Sequence, residues 1–142
     1  MRAAVCEEFA DSESGVSGVK VDKMELPELK EGEVLVKIMA AGVNPVDAVI
    51  LKGQYKDMIP HKLPVIPGWD MAGVIEARAH GARRFIVGDE VYAYARRPEV
   101  KWGPFAEYIV IPDCYLSKKP KSLLFEDAPG TPLAGLDRFL FV

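Results

Sequence analysis

The sequence predicts a mainly β protein with short helices, its strands arranged as a partly open β-barrel, and two observations carry that expectation. Short apolar runs of strand length recur through the first hundred residues, each bounded by Gly, Pro, Asp or charged residues, with little helix between them. Where the pattern is clearest, Val34, Val36 and Ile38 alternate with Leu35, Lys37 and Met39, the period of two of a strand with one buried face.

Taken in order, strands are expected at Ala3 to Cys6 and Val19 to Leu26, with Ser12 to Gly18 between them as a flexible turn. The alternating run at Val34 follows. Asn44 then caps a short helix: Pro45 suits its first position, Asp47 suits its positive end, and Gly53 closes it. Val46, Val49 and Ile50 share the face that docks on the sheet. Leu63 to Gly73 reads as a rigid turn, because Pro64 and Pro67 fix φ while Gly68 and Gly73 permit close backbone approach, and it leads into a strand at Gly73 to Ala77. Further strands are expected at Val91 to Ala95 and Phe105 to Ile111. A helical turn starts at Ser122 and is interrupted by Pro129-Gly130, and another helix begins in Pro132 to Val142.

At 142 residues the chain has the scale of one domain, and 49% hydrophobic with 27% charged residues is the composition of a soluble globular protein. A formal charge of -3, with short interrupted basic clusters at Arg83-Arg84, Arg96-Arg97 and Lys118 to Lys121, argues against a nucleic-acid partner. No apolar run approaches the ~20 residues that span a bilayer, and the amino terminus acquires Glu7 and Glu8 before it could build a secretory core, so no membrane partner and a cytoplasmic location are expected. Cys6 and Cys114 are too few for a disulfide framework; Cys6 is expected as a buried reduced thiol.

Five segments stand in a telling order: Gly42-Val43-Asn44-Pro45-Val46-Asp47, Pro64 to Gly73, Val87-Gly88-Asp89-Glu90-Val91, Gly103-Pro104-Phe105-Ala106-Glu107-Tyr108 and Pro132-Leu133-Ala134-Gly135-Leu136. Together they resemble the medium-chain dehydrogenase/reductase superfamily, and the resemblance covers nearly the whole chain. It implies a GroES-like catalytic domain over residues 1–131 and, over 132–142, the start of the linker helix toward a cofactor domain. Where the zinc enzymes of that superfamily carry Cys and His ligands, this chain has Asn44 and Trp69, neither a usual zinc ligand. His61 and His80, both expected in loops, are the only histidines, so no metal site is expected. The Asn-Pro-x-Asp word is similar to that of zinc-independent quinone oxidoreductases and enone reductases, which implies NADP(H) as cofactor and a small-molecule quinone or enone as substrate.

The resemblance also nominates site residues, each with a structural alternative. Tyr55 matches the Gly-x-Tyr segment that follows the helix in those reductases; its hydroxyl can stabilise or protonate an enolate oxygen, or its ring can pack over the helix. Asn44 can orient the cofactor or serve as a helix cap, and Asp47 supports the helix end. Trp69 can wall a substrate cleft and Asp70 can bind there, or both can stabilise the turn. Tyr92, Tyr94, Trp102, Phe105 and Tyr108 are expected in the core or on the barrel surface.

No Gly-x-Gly-x-x-Gly word follows a strand here, so the Rossmann domain is expected to be lacking and the chain is expected to be weak or inactive alone. A homo-oligomer or a separate chain carrying the cofactor domain would then complete it. Two other classes compete: a noncatalytic substrate-binding or protein-interaction module, and a GroES-like co-chaperonin, which the missing Gly-rich mobile loop disfavours.

Overall fold

A computed structural model describes residues 1–10 and 18–140, the side chains of residues 137, 139 and 140 excepted. Along the chain run β1 (Arg2–Cys6), β2 (Val19–Lys23), β3 (Glu33–Gly42), α1 (Pro45–Leu51), β4 (His61–Ile66), β5 (Asp70–Arg78), β6 (Glu90–Tyr94), β7 (Val100–Trp102), β8 (Tyr108–Pro112), β9 (Ser117–Lys118) and α2 (Pro132–Leu140). Single 3-10 turns at Asp113–Tyr115 and Ala128–Gly130 precede β9 and α2.

The strands form two open sheets, ordered β2-β1-β4-β7 and β8-β3-β5-β6-β9, and neither closes on itself. All pairings are antiparallel except β4 with β7. The period-two pattern of β3 does what it predicts: Val34 and Val36 are fully buried and pack with Met71, Ile75, Val91, Ile109 and Ile111 in the main core. A second apolar cluster forms around Cys6, Ile50, Leu51, Val65, Trp69 and Val100; Val46 and Ile50 of the expected helix face dock on it, with Leu51 in place of Val49.

Two glycines set how closely the segments approach. Gly73 stands opposite Ile38 in the β3–β5 ladder, where a Cβ would collide with the Lys37 carbonyl and the Val36 side chain. Gly42 stands opposite Asp70, and a Cβ there would lie 2.6 Å from the Pro129 carbonyl oxygen. The loop that leads into α2 therefore rests directly on the end of β3.

Several expectations are corrected. His61 opens β4 rather than lying in a loop, and Leu63 to Ile66 is strand despite Pro64, because β4 lies next to the short β7 and pairs with it at few positions. The turn proper is confined to Pro67, Gly68 and Trp69, and β5 begins at Asp70. β2 stops at Lys23, short of Leu26. Pro129-Gly130 does not interrupt a helical turn from Ser122 but lies inside the 3-10 turn, where Pro needs no donor. β7 and β9 were too short to show a period. The turn expected at Ser12 to Gly18 lies, apart from Gly18, outside the described residues.

Gly73→Ala is expected to destabilise the chain by about 1–3 kcal/mol, the usual cost of forcing atoms into packed space. Gly130→Ala, where a Cβ meets nothing within 4 Å, is the control and should stay within about 0.5 kcal/mol. Urea denaturation of the two variants checks this.

Candidate functional site

The site is built where β3 ends, α1 begins and β5 starts. Asn44 is the extended N-cap of α1 (φ -123, ψ 156), and the Asp47 side chain closes back on its backbone as one half of a capping box. The Asp47 carboxylate accepts the Asn44 backbone N–H at 2.7 Å, and the Asp47 N–H donates to the Asn44 carbonyl at 3.0 Å. The Asn44 side chain reaches further: its Nδ2 donates to Asp70 Oδ2 at 3.0 Å. Asp70 is 1% exposed, and its other oxygen, Oδ1, accepts the Leu133 backbone N–H in the first turn of α2 at 3.1 Å. One carboxylate thus joins the cap of one helix to the start of another.

Trp69, which precedes Asp70 in the chain, is 8% exposed. Its ring meets Tyr94 edge to face at 5.8 Å and lies 5.7 Å from the Arg96 guanidinium carbon, an arrangement that fixes the indole plane. Tyr55 lies in the turns after α1, which begin at Gly53 with φ 65, and its carbonyl accepts the N–H groups of Met58 and Ile59. Its half-buried ring packs on the same apolar cluster to which Trp69 belongs. The four nominated residues therefore fall into one region, Asn44 bonded to Asp70 and Tyr55 and Trp69 sharing a cluster.

Burial raises the Asp47 carboxyl above its ordinary value, and the N–H groups of Asn44 and Gly68 oppose that rise. Burial also raises the Cys6 thiol, which donates to the Glu8 carbonyl at 3.0 Å; both it and Cys114 are free. Among the described residues no group of three or more His, Cys, Asp or Glu side chains converges as a metal site. His61 Nδ1 contacts the Ile59 carbonyl, and His80 faces Glu31 on the surface.

A groove of about 330 Å³ opens beside this region, lined in part by Tyr92, Tyr94, Tyr115, Pro132 and Leu136. The sequence alone assigns Tyr92 and Tyr94 to the core or the barrel surface. Their spacing of two on β6 was the available signal that both point to one face. Nothing local could have paired Leu133 with Asp70, 63 residues away.

Two open sheets with short helices between them are the architecture of a GroES-like domain, and the comparisons agree. The alcohol dehydrogenase GroES-like domain matches residues 30–121, and the chain belongs to that family and, with it, to the medium-chain dehydrogenase/reductase superfamily. It is similar to the NADPH-dependent alkenal/one oxidoreductase of Arabidopsis thaliana chloroplasts, 39% identical over 85% of this chain and 33% of that protein. It is 33% identical to the chloroplast envelope quinone oxidoreductase homolog of the same plant, over 86% of this chain and 36% of the relative. A mycobacterial protein solved in complex with NADPH superposes with a TM-score of 0.82 at 28% identity, over 99% of this chain and 40% of that one. The chain spans about a third of the length of the curated relatives it matches. Among the described residues no helix is long and apolar enough to cross a membrane.

Because the folded-state pKa of Asp47 is raised, the native state binds more protons than the unfolded chain between the ordinary carboxylate value and the raised one. This residue's contribution to stability therefore falls as pH rises through that window, and its burial penalty is fully present above it. Asp47→Asn keeps an acceptor for the Asn44 N–H and is expected to flatten that part of the stability–pH profile, measured by thermal unfolding from pH 3 to pH 8.

Proposed function

We propose that this chain is the acceptor-binding part of a zinc-independent, NADPH-dependent quinone or enone reductase. The observation that carries the reading is the grouping of Asn44, Tyr55, Trp69 and Asp70 on a family-typical scaffold. Trp69 backs Tyr94, whose ring lines the groove and offers an apolar wall for a conjugated ring. Tyr55 is a hydroxyl donor able to stabilise the carbonyl oxygen as negative charge develops on it, and Asn44 is an amide donor for a second carbonyl, of the acceptor or of a nicotinamide. Asp70, buried and bonded to Asn44, takes part through that residue.

NADP(H), which would supply hydride when bound, fits this chain at its reacting end and not at its diphosphate. Phosphates are commonly held at helix N-termini. Here the first turn of α1 carries the Asp47 carboxylate, and a first-turn N–H of α2 is taken by Asp70. Both ends already face an anion. The chain alone is accordingly weak or inactive, and a longer polypeptide, a second copy or a separate cofactor-binding chain completes the enzyme. Residues 132–140 serve as the start of the connecting helix. Asn44 and Trp69, neither a usual zinc ligand, favour acceptors that are electrophilic without a Lewis acid.

Titration of the chain with a benzoquinone or a short alkenal is expected to quench Trp69 fluorescence saturably, with the effect lost in Trp69→Phe, while NADPH alone shows no saturation in calorimetry. Tight NADPH binding by the chain would overturn the half-enzyme reading, and unchanged fluorescence would overturn the assignment of the acceptor site. In a completed enzyme Tyr55→Phe should lower kcat by about 10²-fold or more if its hydroxyl acts as a general acid.

A further inference from the structure

We propose that Asp70 is a positioning residue: its buried carboxylate fixes which way the Asn44 amide faces and makes that orientation depend on α2 being docked. The proposal rests on the reading of Asn44 as a cleft residue for its functional meaning, but its geometry stands alone. An asparagine amide is close to symmetrical in shape, so packing by itself does not distinguish its oxygen from its nitrogen. A carboxylate does, because it only accepts. Asp70 Oδ2 at 3.0 Å from Nδ2 therefore holds the nitrogen toward Asp70 and leaves the second N–H as the donor that Asn44 can offer to a carbonyl ligand.

The same carboxylate is committed through Oδ1 to the Leu133 N–H at 3.1 Å. At 1% exposure it has no bulk water to replace a lost donor. Its position is also held by the backbone: Asp70 lies opposite Gly42 and Tyr94 in the sheet, and the Asp70 Cβ and the Pro129 carbonyl both occupy space that a side chain at Gly42 would need. Undocking the first turn of α2 removes a bond that helps aim the carboxylate, and the partner of the Asn44 amide is then less firmly held. Loss of Asn44 acts in reverse on Leu133.

The test uses the full 142-residue chain, isotopically labelled, without cofactor or acceptor. Two readouts report it: the Asn44 side-chain amide signals in nitrogen–proton spectra, and amide hydrogen exchange at Leu133 against core amides such as Val36 and Ile75. In Asn44→Ala, exchange at Leu133 should quicken about tenfold while the core amides hold. In Asp70→Asn, which can satisfy one of the two donors but turns an N–H toward the other, the Asn44 signals should shift and broaden. Leu133→Pro, which deletes the donor at a position where a helix tolerates proline, should disturb the same Asn44 signals. Unchanged Leu133 exchange in Asn44→Ala, or quickening spread equally over the core, would overturn the coupling. If Asp70→Asn fails to fold, Asn44→Ala still decides. Failure of the acceptor titration described above would leave this result standing, so the two proposals fail separately.

Discussion

The fold is organised around a carboxylate that has been taken out of water. An ion buried as deeply as Asp70 costs several kcal/mol unless donors surround it, and the donors it has found come from distant parts of the chain. Asn44 arrives on the loop leaving β3, and Leu133 arrives on α2. Meeting that requirement brings three termini to one point: the end of β3, the cap of α1 and the start of α2. Gly42 is the steric counterpart of the same constraint, since a side chain there would hold Pro129 off and keep α2 from reaching Asp70.

The turn that presents Trp69 depends on a second meeting of distant segments. Gly68 adopts φ 97 and lies under the ring of Phe105, and Gly103 leaves room for the carbonyls of Ile66, Pro67 and Gly68. The Ile66 carbonyl accepts the Gly103 N–H at 2.8 Å, and the Pro67 carbonyl accepts the Phe105 N–H at 3.0 Å. Likewise the Gly88 N–H binds the Ile75 carbonyl while Asp89 accepts the Ile86 N–H, closing the turn between β5 and β6. With Val91 standing opposite Gly73 in the sheet, the five sequence words behave as parts of one object. The glycines and the carboxylate of one word make room for, or bind, the backbone of another, which gives a physical reason for words of this kind to occur together.

That reason also explains what could be read in advance. β3 and β6 declared themselves because one face of each is buried and the alternation survives in Val34 and Val36 and in Val91 and Ala93, whereas β8 was legible only as an apolar run, with Ile109, Val110 and Ile111 all buried. α1 declared itself through chemistry local to four residues, Asn44 to Asp47. β4 was hidden by Pro64 and by its thin pairing, and β9 by its length of two residues. At the site, the identities of Asn44, Tyr55, Trp69 and Asp70 were visible as a family resemblance. The partner of Asp70 in α2 was not, since a side chain bonding a backbone N–H leaves no mark on the residue type that supplies it.

The two helix ends bring these threads together. In an isolated helix the first-turn N–H groups attract an anion, and a phosphate could be that anion. In this chain both ends have been given to internal carboxylates, Asp47 on α1 and Asp70 on α2. The positive ends that could have gripped a dinucleotide are used to lock the scaffold, and what remains accessible beside them is apolar and aromatic, with hydroxyl and amide donors. On the function proposed above, that scaffold holds a neutral carbonyl compound in a fixed pose.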